Sequence, residues 1–351
     1  MTEGTDRRFT QWAKSLLVRL FLSILCLAAG CNRNSSHVAL PTSPSEDVSH
    51  LLVKPESAAG KFDFDAPRDY LPDPNIDWVV TIAFKEPVAQ ERISGVLDAV
   101  WLENHERPTV YGFSPDEQHW TYVNATDSPE SFSRLKIAWS LWDAIDEKPR
   151  VISLDDLRHM KDAVEERLSA LGSLNVEIDR GAEESLAVVQ SLPKIAEECN
   201  RDVKLILRAT DGTPFSGREV WDVMLCLGLD YGDGDLFHWI NNSGFGDDHF
   251  FTIQTSTPPG YFIPQRMASG DGDVDDLMFN FSIPRSADPV AVFDSMLSAV
   301  QYAQKRLGGE ITLRSGEPFD RTAERAKVEE IVEKLNAAGF SPGEHSTCRV
   351  F

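Results

Sequence analysis

The chain is poor in positive charge. Its 351 residues carry 34 Lys and Arg against 56 Asp and Glu, a formal charge of −22. So acidic a body repels phosphate backbones and anionic headgroups, which argues against general nucleic-acid binding and electrostatic membrane adhesion. Cysteine is scarce as well. There are five, none spaced CxxC, which excludes a disulfide framework and a clustered zinc site. Two of them, Cys26 and Cys31, belong to the N-terminal run; of the others, Cys226 lies on an apolar helical pattern and reads as core. Catalytic signatures are missing too: no GxxxxGK[ST], no GxSxG and no HExxH. The N-terminal apolar run, Leu20 to Gly30, has eleven residues, about half of what a bilayer crossing needs. The reading is a non-enzymatic chain that needs no cofactor and no metal.

What is present begins with a leader. Arg7, Arg8, Lys14 and Arg19 precede the apolar run, which ends in Leu27-Ala28-Ala29-Gly30-Cys31. Basic residues, a short apolar stretch and small residues make an export signal. The last five residues resemble the lipobox of bacterial lipoproteins, in which the cysteine is lipidated and becomes the mature terminus. Residues 1–31 are therefore expected to be signal peptide and lipobox, with Cys31 the lipidation site. The chain would be lipid-anchored at the cell membrane, its body on the extracytoplasmic side. Removing residues 1–30 takes away four basic and two acidic residues and leaves −24. Residues 32–75 are rich in Ser, Pro, Asn and Asp without hydrophobic period and are expected to be a flexible linker.

From residue 76 onward the patterning predicts one order of elements twice. The first copy has strands over 78–84, 109–113, 119–125, 135–142 and 175–178, with helices over 90–102, 154–171 and 183–199. The second has strands over 203–207, 235–241, 249–255, 277–283 and 310–314, with helices over 217–227, 289–307 and 322–336. HWTYVNA (119–125) is taken to match HFFTIQT (249–255). The expected fold is α+β: two tandem split β-α-β domains, 76–200 and 201–351, each a mainly antiparallel sheet with helices on one face. Alternation puts Val203, Leu205 and Leu207 toward the helices, with Leu277, Phe279, Phe281 and Ile283 beside them. Leu135, Ile137, Trp139 and Leu141 do the same in the first copy. The other face of each sheet stays open, as a docking platform would.

Other candidate chemistry is thin. Asp230 to Asp235 and Asp271 to Asp276 resemble calcium loops, but the second lacks Gly at its sixth position and Glu at its twelfth. Solvated turns are the plainer reading. His238 and His249 flank the 241–248 turn and would come close, without a third metal ligand or a nucleophile.

The second copy resembles the C-terminal domain of the bacterial division protein ZipA over roughly 203–335. Its carriers are Gly212-x4-Gly217, Gly228-Leu229-Asp230-Tyr231-Gly232-Asp233, Leu236-Phe237-His238 and His249 to Phe262. The most specific is Phe293-Asp294-x-Met296-Leu297-x2-Ala299-x-Gln301-x-Ala303-x3-Leu307-Gly308-Gly309-Glu310. The first copy is then a divergent ZipA-like domain. The resemblance implies septum assembly and binding of the FtsZ tail peptide on the open sheet face. The matching outward positions are Lys204, Ile206, Arg208, Gly234, Leu236, His238, Gln254, Ser256, Pro258, Met278 and Asn280. Large apolar groups common in that family are replaced at Gly234, Ser256 and Asn280, so an alternative is an exported lipoprotein that binds a different envelope protein. The leader generates the first prediction. A fatty-acid probe should label the wild-type chain and not Cys31→Ser, and a reporter fused after residue 60 should be active outside the cytoplasm. Unlabelled wild type with a cytoplasmic reporter would remove the lipoprotein reading.

Overall fold

Alternating runs and amphipathic segments fold into two antiparallel sheets, each with helices against one side. The structure is a computed structural model that describes residues 39–60, 63 and 68–351. The leader and Cys31 lie outside the described residues. The first sheet contains β1 (Asp77–Ala89), β2 (Thr109–Phe113), β3 (Trp120–Tyr122), β4 (Ser131–Ser140) and, after a two-stranded ribbon of β5 (Trp142–Asp143) and β6 (Lys148–Pro149), β7 (Leu174–Ile178). Its order is β3-β2-β4-β1-β7. The second contains β8 (Asp202–Arg208), β9 (Asp230–Gly232), β10 (Leu236–Ile240), β11 (His249–Gln254), β12 (Asp276–Ser282) and β13 (Glu310–Leu313), in the order β13-β8-β12-β11-β10-β9. The helices are α1 (Gln90–Val96), α2 (Ala99–Asn104), α3 (Leu154–Ser169), α4 (Ala182–Cys199), α5 (Gly217–Cys226), α6 (Pro264–Ser269), α7 (Pro289–Leu307), α8 (Arg321–Ala337) and α9 (His345–Val350).

Local chemistry explains the long helices. Asp288 accepts from the Ala291 N–H at 3.1 Å and Pro289 opens α7, so the start is capped and φ is preset. Its Val292, Phe293, Met296, Leu297, Val300 and Ala303 fall on one buried stripe. Gly308 ends the helix at φ 81°. The next glycine, Gly309, also has positive φ, and a Cβ there would strike the Arg208 carbonyl. In α3, Ser153 and Asp156 form a reciprocal capping box. The single helix expected over 90–102 is two, because Asp98 accepts from the Trp101 N–H and starts α2 afresh.

Both sheets bury the side that their alternation marks. Trp78, Val80, Ile82, Leu135, Ile137 and Trp139 of the first sheet join Leu205, Leu207, Leu277 and Phe279 of the second in one continuous apolar core. Helix α4 packs on α8 across the two halves, and the Arg349 guanidinium reaches the buried Asp77 carboxylate at 3.1 Å. Residues 40–351 make one compact unit.

The two halves share a three-stranded centre, β7-β1-β4 in one and β13-β8-β12 in the other. Beyond it they part. The strand beside β12 is β11, the second of its hairpin, whereas the strand beside β4 is β2, the first of its hairpin. HWTYVNA and HFFTIQT therefore do not occupy matching places, since β3 lies at the sheet edge and β11 lies inside. Alternation alone reports which strands exist, not which member of a hairpin turns inward.

Part of the span expected as a linker is docked. Ser45 donates from N and Oγ to Asp222 at 2.9 and 2.5 Å, and Val48 N bonds Cys226 O at 2.9 Å. Arg306 joins Asp222 at 2.8 Å to Glu46 at 3.0 Å, and Tyr302 donates to Glu46 at 2.8 Å. Further along, Val53 exchanges hydrogen bonds with the Ser295 hydroxyl, and Leu52 and Ala58 are buried. This strap covers Cys226. Burial alone would raise that thiol's pKa, but hydrogen bonds from Ser45, Tyr302, the Glu46 backbone and Arg306 outweigh burial and hold it below its usual value. At a pH high enough to ionise the thiol in both proteins, Arg306→Ala should loosen the strap and speed thiol-reagent modification of Cys226 about tenfold, as ~1.4 kcal/mol of closure is removed. Peptide mapping should show Cys199 and Cys348 unchanged.

Candidate functional site

The helix-free face of the second sheet is assembled by strand register. Thr312, Ile206, Met278 and Gln254 line up from β13 through β8 and β12 to β11. Lys204, Asn280, Thr252 and His238 form a second row. Eight expected residues share this face: Lys204, Ile206 and Arg208 on β8, Leu236 and His238 on β10, Gln254 on β11, Met278 and Asn280 on β12. The other three stand apart. Gly234 sits in the β9–β10 turn at φ 69°, and Ser256 and Pro258 lie in the loop after β11. Ser256 is engaged there, donating from N to Asp276 at 2.7 Å and from its hydroxyl to the same carboxylate.

The face is flat and mixed in character. Ile206 is only 6% exposed, wedged between neighbours in its row, and Met278 and Leu236 are half-buried. Gln254 approaches the Met278 sulfur at 3.9 Å, and Asn280 donates to the Thr252 carbonyl at 3.3 Å. Lys204 pairs with Asp202 at 2.9 Å, while Arg208 is exposed. The result is a short apolar strip bordered by cations. Such a surface suits an extended segment with a few apolar side chains; each one fully buried contributes roughly 1.5–3 kcal/mol.

Thr252 and Thr312 belong to the face and were not foreseen. Thr252 was hidden by the bulge between Trp239 and Ile240, which lets Phe250 and Phe251 both be buried and breaks the alternation. Thr312 needed the β13–β8 pairing, which no local pattern in EITLR discloses.

The histidines meet as expected from the turn: the His238 and His249 rings stack at 3.9 Å. His238 is buried, with Nδ1 at 3.0 Å from Thr252 Oγ1 and Nε2 at 2.9 Å from the Asp233 carbonyl. Both nitrogens are thus engaged, the assignment being an Nε2–H donor and an Nδ1 acceptor. The acidic turns are structural. Asp273 accepts from the Gly217 N–H at 3.0 Å and caps α5, and Asp276 ties down Thr255 and Ser256. Tyr231 donates to Asp235 at 2.9 Å, and burial followed by that carboxylate pushes its phenol well above the usual range. Among the described residues no group of three or more His, Cys, Asp or Glu could hold a metal, and no helix is long and apolar enough to cross a membrane.

The second sheet is thus six-stranded and antiparallel, with helices on one side and an apolar strip on the other. Residues 203–331 match the family model for ZipA, C-terminal FtsZ-binding domain. The matched span starts in β8 and ends inside α8, so it takes in the whole second sheet. The cell division protein ZipA of Marinobacter nauticus is 30% identical over 114 residues, 32% of each chain. ZipA of Shewanella loihica is 27% identical over 124 residues, 34% of this chain and 36% of that one. ZipA of Shewanella frigidimarina is 27% identical over 131 residues, 37% and 35%. The chain spans about a third of the length of these curated relatives.

The histidine stack generates a pH prediction. Burial, then the neighbouring His238, holds the His249 pKa below its ordinary 6.5. The unfolded chain then binds more protons than the folded one as pH drops through 6.5, so stability is full above that value and falls below it. Urea midpoints between pH 7.5 and 5 should decline for the wild type and decline less for His249→Gln. Parallel curves would show that the stack carries none of the dependence.

Proposed function

We propose that the chain is a membrane-anchored, non-enzymatic peptide-binding protein of the cell-division machinery, and that the open face of its second sheet takes the C-terminal tail of FtsZ. One observation carries this reading: the match to the FtsZ-binding domain spans the sheet whose uncovered face bears Ile206, Met278 and Leu236 in register. Lys204 and Arg208 supply cations beside that strip, and Gln254, Asn280 and Thr252 offer polar contacts that fix the register of a guest. Residues 201–351 act as the ZipA C-terminal-like domain and 76–200 as its divergent companion. Cys31 attaches the whole to the membrane.

A second reading is favoured by particular residues. Basic groups before Leu20 and a lipobox at Cys31 send the body outward, and Gly234, Ser256 and Asn280 stand where the family carries large apolar groups. On this reading the same face binds a different cell-envelope protein.

Calorimetric titration of the full chain with an FtsZ C-terminal peptide separates the two. The first reading expects saturable binding that Ile206→Ala and Met278→Ala each weaken about tenfold, the equivalent of ~1.4 kcal/mol per truncated anchor. No binding, together with Cys31-dependent lipid labelling outside the cytoplasm, leaves the envelope partner.

A further inference from the structure

The open face of the first sheet differs in chemistry from the second, and the family match does not reach it. It is aromatic. Tyr70 lies on Tyr122 at 5.0 Å, Tyr122 on Tyr111 at 5.1 Å, and Phe113 on Trp120 at 5.5 Å. Tyr111 and Trp120, with Val79, Ala138 and the adjoining Phe113, make a small apolar cluster separate from the main core. Tyr70 and Tyr122 remain 37% and 39% exposed. The ridge is also cationic. The exposed Arg134 guanidinium sits 4.3 Å from the Phe113 ring centre and 5.3 Å from that of Trp120. Lys136 stands 5.8 Å from Trp120. Beside it a groove of about 320 Å³ is lined by Leu71, Pro72, Pro74, Val79 and Lys136, together with Asp77 and Asp179, which are ion-paired to Arg349 and Lys136.

Arg134 is the telling residue. The chain has 56 carboxylates, yet among the described residues none forms an ion pair with Arg134. Lys136, by contrast, is paired with Asp179. A guanidinium seated over two rings is partly desolvated there and can still take a carboxylate through two parallel hydrogen bonds. Aromatic side chains around a central arginine are also the composition of protein-binding hot spots.

We infer that this face is a second docking surface, whose occupant is an acidic segment of another protein in extended form. One carboxylate of the guest meets Arg134, and an apolar or aromatic side chain two residues away enters the groove over Val79, since alternate residues of an extended chain point the same way. The surface is independent of the second-sheet reading and stands if that reading fails.

The test titrates the full chain in detergent with a fluorescein-labelled peptide of repeated Asp-Ser-Leu-Ser, which sets aspartate and leucine two residues apart on one face of an extended chain, and with its Lys-Ser-Leu-Ser counterpart. The aspartate peptide should bind, more weakly at high salt, and the lysine peptide should not. Arg134→Glu should weaken binding at least tenfold. Arg134→Gln, which removes the charge without reversing it, should fall between, while Lys305→Glu, a charge reversal at an exposed position of α7, should change nothing. Arg134 is exposed, so the urea midpoints of its variants should match the wild type. The proposal is overturned by no binding, by equal binding of both peptides, by an Arg134→Gln or Arg134→Glu chain that binds as tightly as wild type, or by loss of binding in Lys305→Glu.

Discussion

One-sided burial organises this protein. Each sheet presses a single face against helices, and the two pressed faces meet in one apolar core from Trp78 and Trp139 to Leu205, Phe279 and Phe293. The strands must then alternate, and alternation leaves each sheet with a second surface that the core does not use. On the second sheet that surface is a flat strip around Ile206 and Met278. On the first it is an aromatic ridge under Arg134. The two surfaces follow from the same constraint and diverge only in the residues that alternation leaves free to vary.

Most elements were legible because their signals are local. The helix over 289–307 begins and ends where Asp288, Pro289 and Gly308 mark it, and the strand over 109–113 falls where β-branched and aromatic residues follow a proline. What was not legible is non-local. The inverted hairpin order of the first sheet depends on which strand reaches β4 first, and neither 109–113 nor 119–125 states that preference. The short helices α6 and α9 carry too few residues for a period to show. Lys204, Ile206, Arg208, Met278 and Asn280 follow from alternation along β8 and β12, whereas the other six expected positions came with the resemblance. Of those six, Leu236, His238 and Gln254 share the face, and Gly234, Ser256 and Pro258 lie outside strands, where alternation has no meaning.

The strap was illegible for a related reason. Ser45, Glu46 and Val48 have the composition of a linker, and their partners Asp222, Cys226, Tyr302 and Arg306 lie some 177 to 260 positions away. Polar contacts of that range leave no imprint on the local sequence. They also raise the mean separation of contacts, which slows folding relative to a chain whose halves fold from neighbours alone.

The strap also decides how the molecule bears force. In chain order the first half follows the N-terminal segment directly, so tension from that end would be expected to reach it first. Instead the strap hands the load to α5 and α7 of the second half, through Asp222, Ser295 and Arg306. The first sheet is mechanically shielded until those contacts peel, and its aromatic face keeps its shape while the N-terminal end is pulled.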